Sequence, residues 1–330
     1  MQNHSIDLSR DIYYQKPYSE LYIEDECELF DYVFKDGDKQ VLFRSIKWPI
    51  KSVAGVPVKE ELYDLETPYG YGGPLTNSDD EAFLQQAFES YRRHCLAQNI
   101  VCEFIRFHPF NSVSQNKSLF DFIAQERTVV VVDLAVSTEE RWARYSKTTR
   151  NILRKAHKKL HKHVGSQDLD KFIRLYEETM DKNAAADFYY FKPDYFEKLA
   201  AIDGVELVEA MLDDEVVSSG FFMHGNDISH YHLSANNQAY LRENGNYLLL
   251  DYAFEQAKEK GCRWMMLGGG RTSDENDSLF KFKAKFSDQN LPFYIAGIDF
   301  MPEIRARLNK LWQEQHQNET APRLFQLYRK

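Results

Sequence analysis

The sequence predicts an α/β protein of two similar halves, each a mixed, mainly antiparallel sheet flanked by helices. Three observations carry this expectation. At 330 residues the chain is long for a single core and suits two domains of ordinary size. From residue 141 onward, helical periods give way to three short strands split by turn dipeptides, then to another helix and strand. Finally, Ala87-Phe88-Glu89 and Ala253-Phe254-Glu255 each sit in a helical pattern that leads into a strand, about half a chain apart. The expected domains are residues 1–140 with a returning C-terminal helix at 301–330, and residues 141–300.

The elements follow in order. Irregular sequence up to about Cys27 precedes a hairpin, 30–35 with 40–47, turning at Asp36-Gly37. Residues 62–74 run from a strand into a loop. A helix over 79–97 has Asn77, Ser78 or Asp79 as its cap, and strands follow at 100–107 and 128–135. Trp142, Tyr145, Thr149, Ile152, Leu153, Ala156 and Leu160 recur at three- and four-residue steps, so this basic segment is a helix with a packed stripe, expected between the halves. A helix over 169–182 and a shorter one opened by Pro193 come next. Strands at 205–212, 216–224 and 228–235 form a meander, followed by a helix over 247–260 and a strand at 263–267. A glycine loop, a short helix at 278–286 and a strand at 293–300 complete the unit. This order is that of an N-acyltransferase-like (GNAT-like) fold, and the first half repeats part of it.

Composition narrows the function classes. The formal net charge is −10, yet residues 141–163 hold nine Lys/Arg, three His and no Asp or Glu. A concentrated basic segment in an acidic protein is expected either to meet an anion or to be a solvated helix face. Four cysteines without CxxC spacing read as reduced thiols. The N-terminus has no basic-then-apolar pattern and no apolar run spans a bilayer, so a cytoplasmic location is expected. GxSxG, P-loop and HExxH motifs are absent from the sequence, which removes the motif basis for hydrolase, nucleotidase and zincin readings.

Acyl transfer to an amine needs a held carbonyl, a stabilised oxyanion and a deprotonated nitrogen. The segment LGGGRTSDENDSLFKFKAKF (267–286) is the most informative for that chemistry. Its three glycines allow close backbone approach to a ligand. On a helix, Leu279, Phe280, Phe282 and Phe286 form one apolar arc that contains Lys283 and leaves Lys281 and Lys285 outside. A lysine among apolar neighbours either snorkels or meets a fixed anion. The loop TPYGYGGP, with Tyr69, Tyr71 and Gly72, has a shaped backbone whose aromatics either stack on a sugar or base or belong to a structural turn. Arg106 and His108 share a face of FIRFHPF, where they can bind phosphate or move a proton. Tyr231 and His232 fall on opposite faces of a central strand. Phe188, Tyr189, Tyr190 and Phe191 are either a pocket wall or packing. His157, His161 and His163 lack an acidic or Cys partner nearby, so no metal is expected there.

With YGYGGP, FIRFHPF, TRNILRKA, LYEETMDKNAAADFYYF and the glycine–lysine segment, the chain resembles the Fem-type (FemAB) peptidyltransferases and the BioF2-like GNAT acetyltransferase group, over residues 62–300. The resemblance implies two acetyltransferase-like domains and transfer of an acyl or aminoacyl group onto an amine of a cell-envelope precursor. It also implies that Phe282-Lys283 is the Fem Phe-Lys pair, with Lys283 stabilising negative charge. Arg150, Arg154, Lys155 and Arg271 would then orient phosphates, and residues 69–73 would line the acceptor cleft. His108 stands where Fem proteins tend to carry an acidic residue, and the long coiled-coil arm has no counterpart. His108 and Asp274 are the candidates for general base.

The implied donor is aminoacyl-tRNA or acyl-CoA, with no tightly bound cofactor. CoA enzymes of this fold carry Q/R-x-x-G-x-G/A before a helix. Here residues 242–247 read RENGNY, with Tyr247 in the terminal Gly/Ala position. The implied partners are a phosphorylated or lipid-linked sugar or peptide precursor, and tRNA through sequence-independent phosphate contacts, with no DNA. The competing class is a non-catalytic nucleotide-sugar or RNA-binding protein. A third reading places the basic helix at a membrane surface.

Overall fold

A computed structural model describes residues 6–183, 189–274, 276–317 and 324–330. The chain divides into two compact units, Tyr22–Glu126 with Pro292–Lys330, and Met1–Leu21 with Arg127–Leu291. These are the first and second units below.

The boundaries correct the expected ones at both ends. Residues 6–21 group with the second unit, where a buried pair ties them down: His230 Nε2 lies 2.6 Å from Asp11 Oδ2. Tyr13 adds a hydrogen bond of 3.1 Å to His232 Nδ1. Residues 127–140 also belong to the second unit, because Val130, Val132 and Leu134 sit in its core. Residues 292–300 belong to the first, because Ile295–Asp299 pair with Arg106–Cys102.

In the first unit, Glu28–Asp36 and Lys39–Pro49 form the expected antiparallel hairpin, with Gly37 at φ +61° making its turn. Lys39–Pro49 pairs antiparallel with Tyr63–Glu66, which lies parallel to Ile100–Arg106, and Asn290–Asp299 continues the order. The helix Glu81–Ala97 is capped by Asp80, one residue past the expected cap, whose carboxylate accepts from the Ala82 and Phe83 amides. It buries Phe83, Leu84, Ala87, Phe88, Tyr91 and Cys95 against the sheet. The apolar residues therefore recur at three- and four-residue spacing on one stripe. Tyr91 stacks on Phe43 at 4.0 Å. The last residues pack within this same unit: Leu308, Trp312, Leu327 and Tyr328 join Val101 and Cys102. Arg329 there pairs with the buried Asp64 at 2.5 Å.

In the second unit the strand order is Phe122–Asp133, Trp264–Gly268, Ile228–Asn236, Glu215–His224, Val205–Leu212 and His161–Val164. The meander 205–236 is antiparallel, as its turns imply. His161–Val164 is an edge strand, hidden in the sequence by its cations; Lys and His on an edge discourage pairing with another chain. The helices Lys147–Lys159 and Gly245–Glu259 cover one core, with Leu153, Ala156, Leu248 and Ala253 inside it. A separate aromatic group joins Phe172, Phe196 and Phe221, with centroids 4.8–6.4 Å apart. The basic segment is two helices rather than one: Tyr145 is extended at φ −70°, ψ 150° and divides Thr138–Arg144 from Lys147–Lys159. Among the described residues no helix is long and apolar enough to cross a membrane.

Candidate active site

The feature that shapes the second unit is a parallel ladder that stops early. Ile228, Ser229 and His230 pair with Trp264, Met265 and Met266, whereas Ile228–Asn236 runs on to Asn236. A register shift at Phe221/Phe222 leaves His232 as the extra residue opposite the neighbouring strand. Beyond the ladder lie Tyr231, the glycine turn 268–270 and the helix Ser278–Lys283.

Lys283 is the buried amine of this region. The sequence puts it on the apolar arc, and the structure buries it to 8% exposure. Its Nζ donates to the Gly269 carbonyl at 2.8 Å and sits 5.9 Å from the Tyr231 ring centroid. Burial, reinforced by the nearby Arg127 charge and opposed by Asp277, brings its pKa from 10.5 to about 7. The amine is therefore close to half-neutral at physiological pH.

The surrounding residues hold it in place. Asp277 caps the lysine helix, accepting from the Leu279 and Phe280 amides at 2.8 and 3.0 Å. A Cβ on Gly270 would lie 2.5 Å from Asp277 Oδ1, and one on Gly269 would lie 2.8 Å from Arg127 Cδ, so a side chain at either position would displace Asp277 or Arg127. Arg127 Nη1 donates to the Gly270 carbonyl at 2.7 Å. Phe282 is half-buried, edge-on to Tyr247 and Phe286 at 5.3 and 5.5 Å, and so anchors the helix rather than lining a free wall. Tyr231 stacks on Phe222 at 5.4 Å. Burial pushes the Tyr231 hydroxyl up to about 12, against an opposing hydrogen bond with Ser234.

The other expected residues of this unit have different occupations. Arg271 is exposed and bridges Asn183 Oδ1 and Ser278 Oγ at 2.8 and 3.0 Å, tying the glycine loop to the helix start. Asp274 is an exposed turn former whose carboxylate accepts from the Asn276 amide at 2.7 Å. That contact gives the carboxylate a role in shaping the loop, apart from proton transfer. Arg150 Nη1 donates to the Tyr145 and Ala143 carbonyls, closing the end of the preceding helix. Arg154, bonded to Asn151 at 3.1 Å, and Lys155 lie on the exposed basic face. His157 bonds the buried Asp251 at 2.8 Å and His163 bonds Glu209 at 3.0 Å, so both have the acidic partners that sequence spacing did not show. Tyr189 accepts from the Tyr176 hydroxyl at its carbonyl and Phe191 stacks on Tyr195, which is packing. Phe188 lies outside the described residues.

In the first unit, Tyr71, Gly72, Arg106 and His108 come together, with Tyr69 in the same loop. The His108 amide donates to the Gly72 carbonyl at 2.9 Å, and the Tyr71 ring is edge-on to His108 at 5.6 Å. His108 is fully buried and its Nδ1 accepts from the Phe110 amide at 3.2 Å. Arg106 pairs with Glu66 and donates to the Thr67 carbonyl at 3.2 Å. Gly73, at φ +95°, packs so closely on Phe107 that a Cβ would approach its ring to 2.8 Å.

Asp277 and Arg127 were not singled out from sequence. Asp277 carried a readable signal, an acidic residue just before an apolar helical run. Arg127 meets the glycine turn across 143 residues of chain, which no local pattern encodes.

Residues 147–282 match the acetyltransferase (GNAT) domain family. The structure of FemX superposes with a TM-score of 0.70 at 12% identity, covering 90% of this chain and 94% of that one. A conserved protein of unknown function from Bacteroides thetaiotaomicron gives 0.53 at 12% identity, over 91% and 94%. L-PGS from Bacillus licheniformis gives 0.52 at 14% identity, over 81% and 84%. No curated protein matches the chain in sequence. The chain thus has the fold of FemX, with residues 147–282 matching the acetyltransferase (GNAT) domain family.

Proposed function

We propose that this protein transfers an acyl or aminoacyl group onto an amine of a cell-envelope precursor, with Lys283 handling the proton. The observation that carries the reading is a buried lysine of near-neutral pKa, held against a glycine turn beside an interrupted parallel ladder. An attacking amine must lose a proton as its nitrogen bonds the donor carbonyl carbon. Neutral Lys283 accepts that proton and passes it to the departing oxygen or sulfur as the ester or thioester bond breaks. A base of pKa near 7 is well matched to that task at neutral pH.

The donor is read as an aminoacyl ester of tRNA in preference to acyl-CoA. Tyr247 is buried in the core, and its amide N–H turns inward to the Asn244 carbonyl at 3.0 Å. Its hydroxyl accepts from Lys285 at 3.0 Å. A pyrophosphate needs outward-facing amides and little side chain at that position. The exposed cations of Lys147–Lys159 suit RNA phosphates. The acceptor is a phosphorylated or lipid-linked sugar or peptide carrying a free amine, met in the cytoplasm or at the inner membrane surface.

Thermal shift tests the donor first. A ligand at about a hundred times its Kd adds about 2.7 kcal/mol, so binding is plainly visible. Charged tRNA is expected to stabilise the protein, and acetyl-CoA and CoA are not. Clear stabilisation by acetyl-CoA moves the donor to acyl-CoA. Binding of precursor without turnover from either donor makes the protein a non-catalytic binder of nucleotide-sugars or RNA.

A further inference from the structure

Three side chains converge on the glycine turn 268–270, each fastened to a different part of it. Lys283 Nζ donates to the Gly269 carbonyl at 2.8 Å, and Arg127 Nη1 donates to the Gly270 carbonyl at 2.7 Å. Asp277 Oδ1 lies 2.5 Å from where a Cβ on Gly270 would stand. Arg127 reaches the turn because its strand overhangs. Phe122–Asp133 pairs antiparallel with Trp264–Gly268, with Val130 opposite Gly268, so Arg127 lies past the end of the partner strand. Its stem lies flat on the turn, with Cδ and Cγ 2.8 and 3.4 Å from the place of a Gly269 Cβ. The missing side chain at Gly269 is what lets the stem approach so closely.

Two successive carbonyls of the turn are thus each held by a basic side chain, and the two bases differ. A guanidinium stays charged in proteins, whereas a buried amine can shed its proton. Both the protonated and the neutral amine can donate to the Gly269 carbonyl, so that bond orients Lys283 without fixing its charge. The charged groups acting on it are Arg127 and, in opposition, Asp277. Burial pushes the Asp277 carboxyl up, but the amides of Phe280, Arg271, Leu279 and Thr272 outweigh it, and the group remains an anion. Lys281 and Lys285 of the same helix are exposed and bonded to Asn276 and Tyr247, and Arg271 is exposed in the loop.

We infer that Arg127 is a positioning residue for Lys283: its guanidinium fixes the glycine turn so that the Gly269 carbonyl meets the amine, and it keeps a permanent positive charge beside that amine. This rests on the reading of Lys283 as the group that handles the proton, and it names the residue that keeps the amine ready to accept one. Burial disfavours the charged amine, and a cation nearby adds to that effect.

NMR of the lysine side chains in the full chain follows the Lys283 titration directly and needs no substrate; Lys283→Met identifies its resonance. Arg127→Gln removes the charge and keeps an amide donor for the Gly270 carbonyl, while Arg127→Lys keeps a charge without the fork. Gly269→Ala displaces the Arg127 stem and leaves both charges in the chain. In Arg127→Gln the midpoint is expected to rise from about 7 toward the ordinary 10.5, and in Gly269→Ala to rise as well. Arg127→Lys is expected to stay closer to wild type. The pH step in transfer should move up with the midpoint, since each unit of rise lowers the neutral fraction at pH 7 about fivefold or more. A midpoint that stays near 7 in folded Arg127→Gln overturns the inference, because Arg127 then only packs. Should that variant not fold, the same result in Gly269→Ala overturns it. Midpoints that move as expected in a protein showing no transfer support the placement of Arg127 and defeat the transfer reading instead.

Discussion

Replacing Lys283 with methionine removes the titrating amine while keeping a long unbranched side chain in the apolar arc. The folded-state pKa is about 7 against an ordinary value of 10.5. The unfolded chain therefore holds one more proton than the folded chain between those two values. Stability from this group rises with pH across that window, approaching about 1.4 kcal/mol per pH unit. Below pH 7 both states are protonated and the full penalty, on the order of 5 kcal/mol, falls on the folded protein. Above pH 10.5 both are neutral and the penalty is gone. Urea unfolding of wild type and Lys283→Met at pH 6, 7, 8 and 9 gives the difference directly. The account predicts that the variant gains most over wild type at pH 6, and that the gap closes steadily from pH 7 upward. A pH-independent gap would refute the reasoning, because Lys283 would then be a permanent cation with a folded pKa near its ordinary one.

Three further predictions test the frame around the site. Burial pushes the Glu103 pKa up to about 7 against hydrogen bonds from Ser45 and Tyr91. Its charge therefore costs stability as pH rises from 4.5 to 7, and Glu103→Gln should raise the melting temperature at pH 8 more than at pH 5. Gly270→Ala places a Cβ 2.5 Å from Asp277 Oδ1; transfer activity should fall at least tenfold while circular dichroism is unchanged, and undiminished kcat/KM would show a slack loop. Arg329→Ala strands the buried Asp64 carboxylate and should cost about 3 kcal/mol in urea unfolding, as for a broken buried pair.

The site was legible in sequence where local periodicity and burial agree. Lys283 fell on an apolar arc at helical spacing, and no long-range information was needed to mark it as anomalous. Its protonation was not legible, because that depends first on how completely the fold buries the amine and then on Arg127 arriving from a distant strand. The surroundings of the basic helix were not legible for the same reason. Spacing shows that Arg150 is on a helix, but not that the preceding helix ends within its reach and engages its Nη1. Asp274 read as a base because it was acidic and near glycines, whereas in a loop that dense with turn residues a carboxylate is more readily absorbed by a backbone amide. The hairpin, the meander and the principal helices were legible because their turn dipeptides and stripes are local. The unit boundaries were not, since the assignment of residues 6–21 rests on Asp11 meeting His230, 219 positions away.

The central claim is that Lys283 accepts a proton during transfer to an amine. Single-turnover transfer from charged tRNA, and in parallel from acetyl-CoA, to an amine-bearing envelope precursor tests it across pH 5.5–9. For wild type the account predicts a rate that climbs with pH and levels above about pH 7. For Lys283→Ala it predicts a loss of about a hundredfold or more, within the range for a general base, with the pH step gone and the fold retained. Undiminished transfer by a folded Lys283→Ala protein would contradict it.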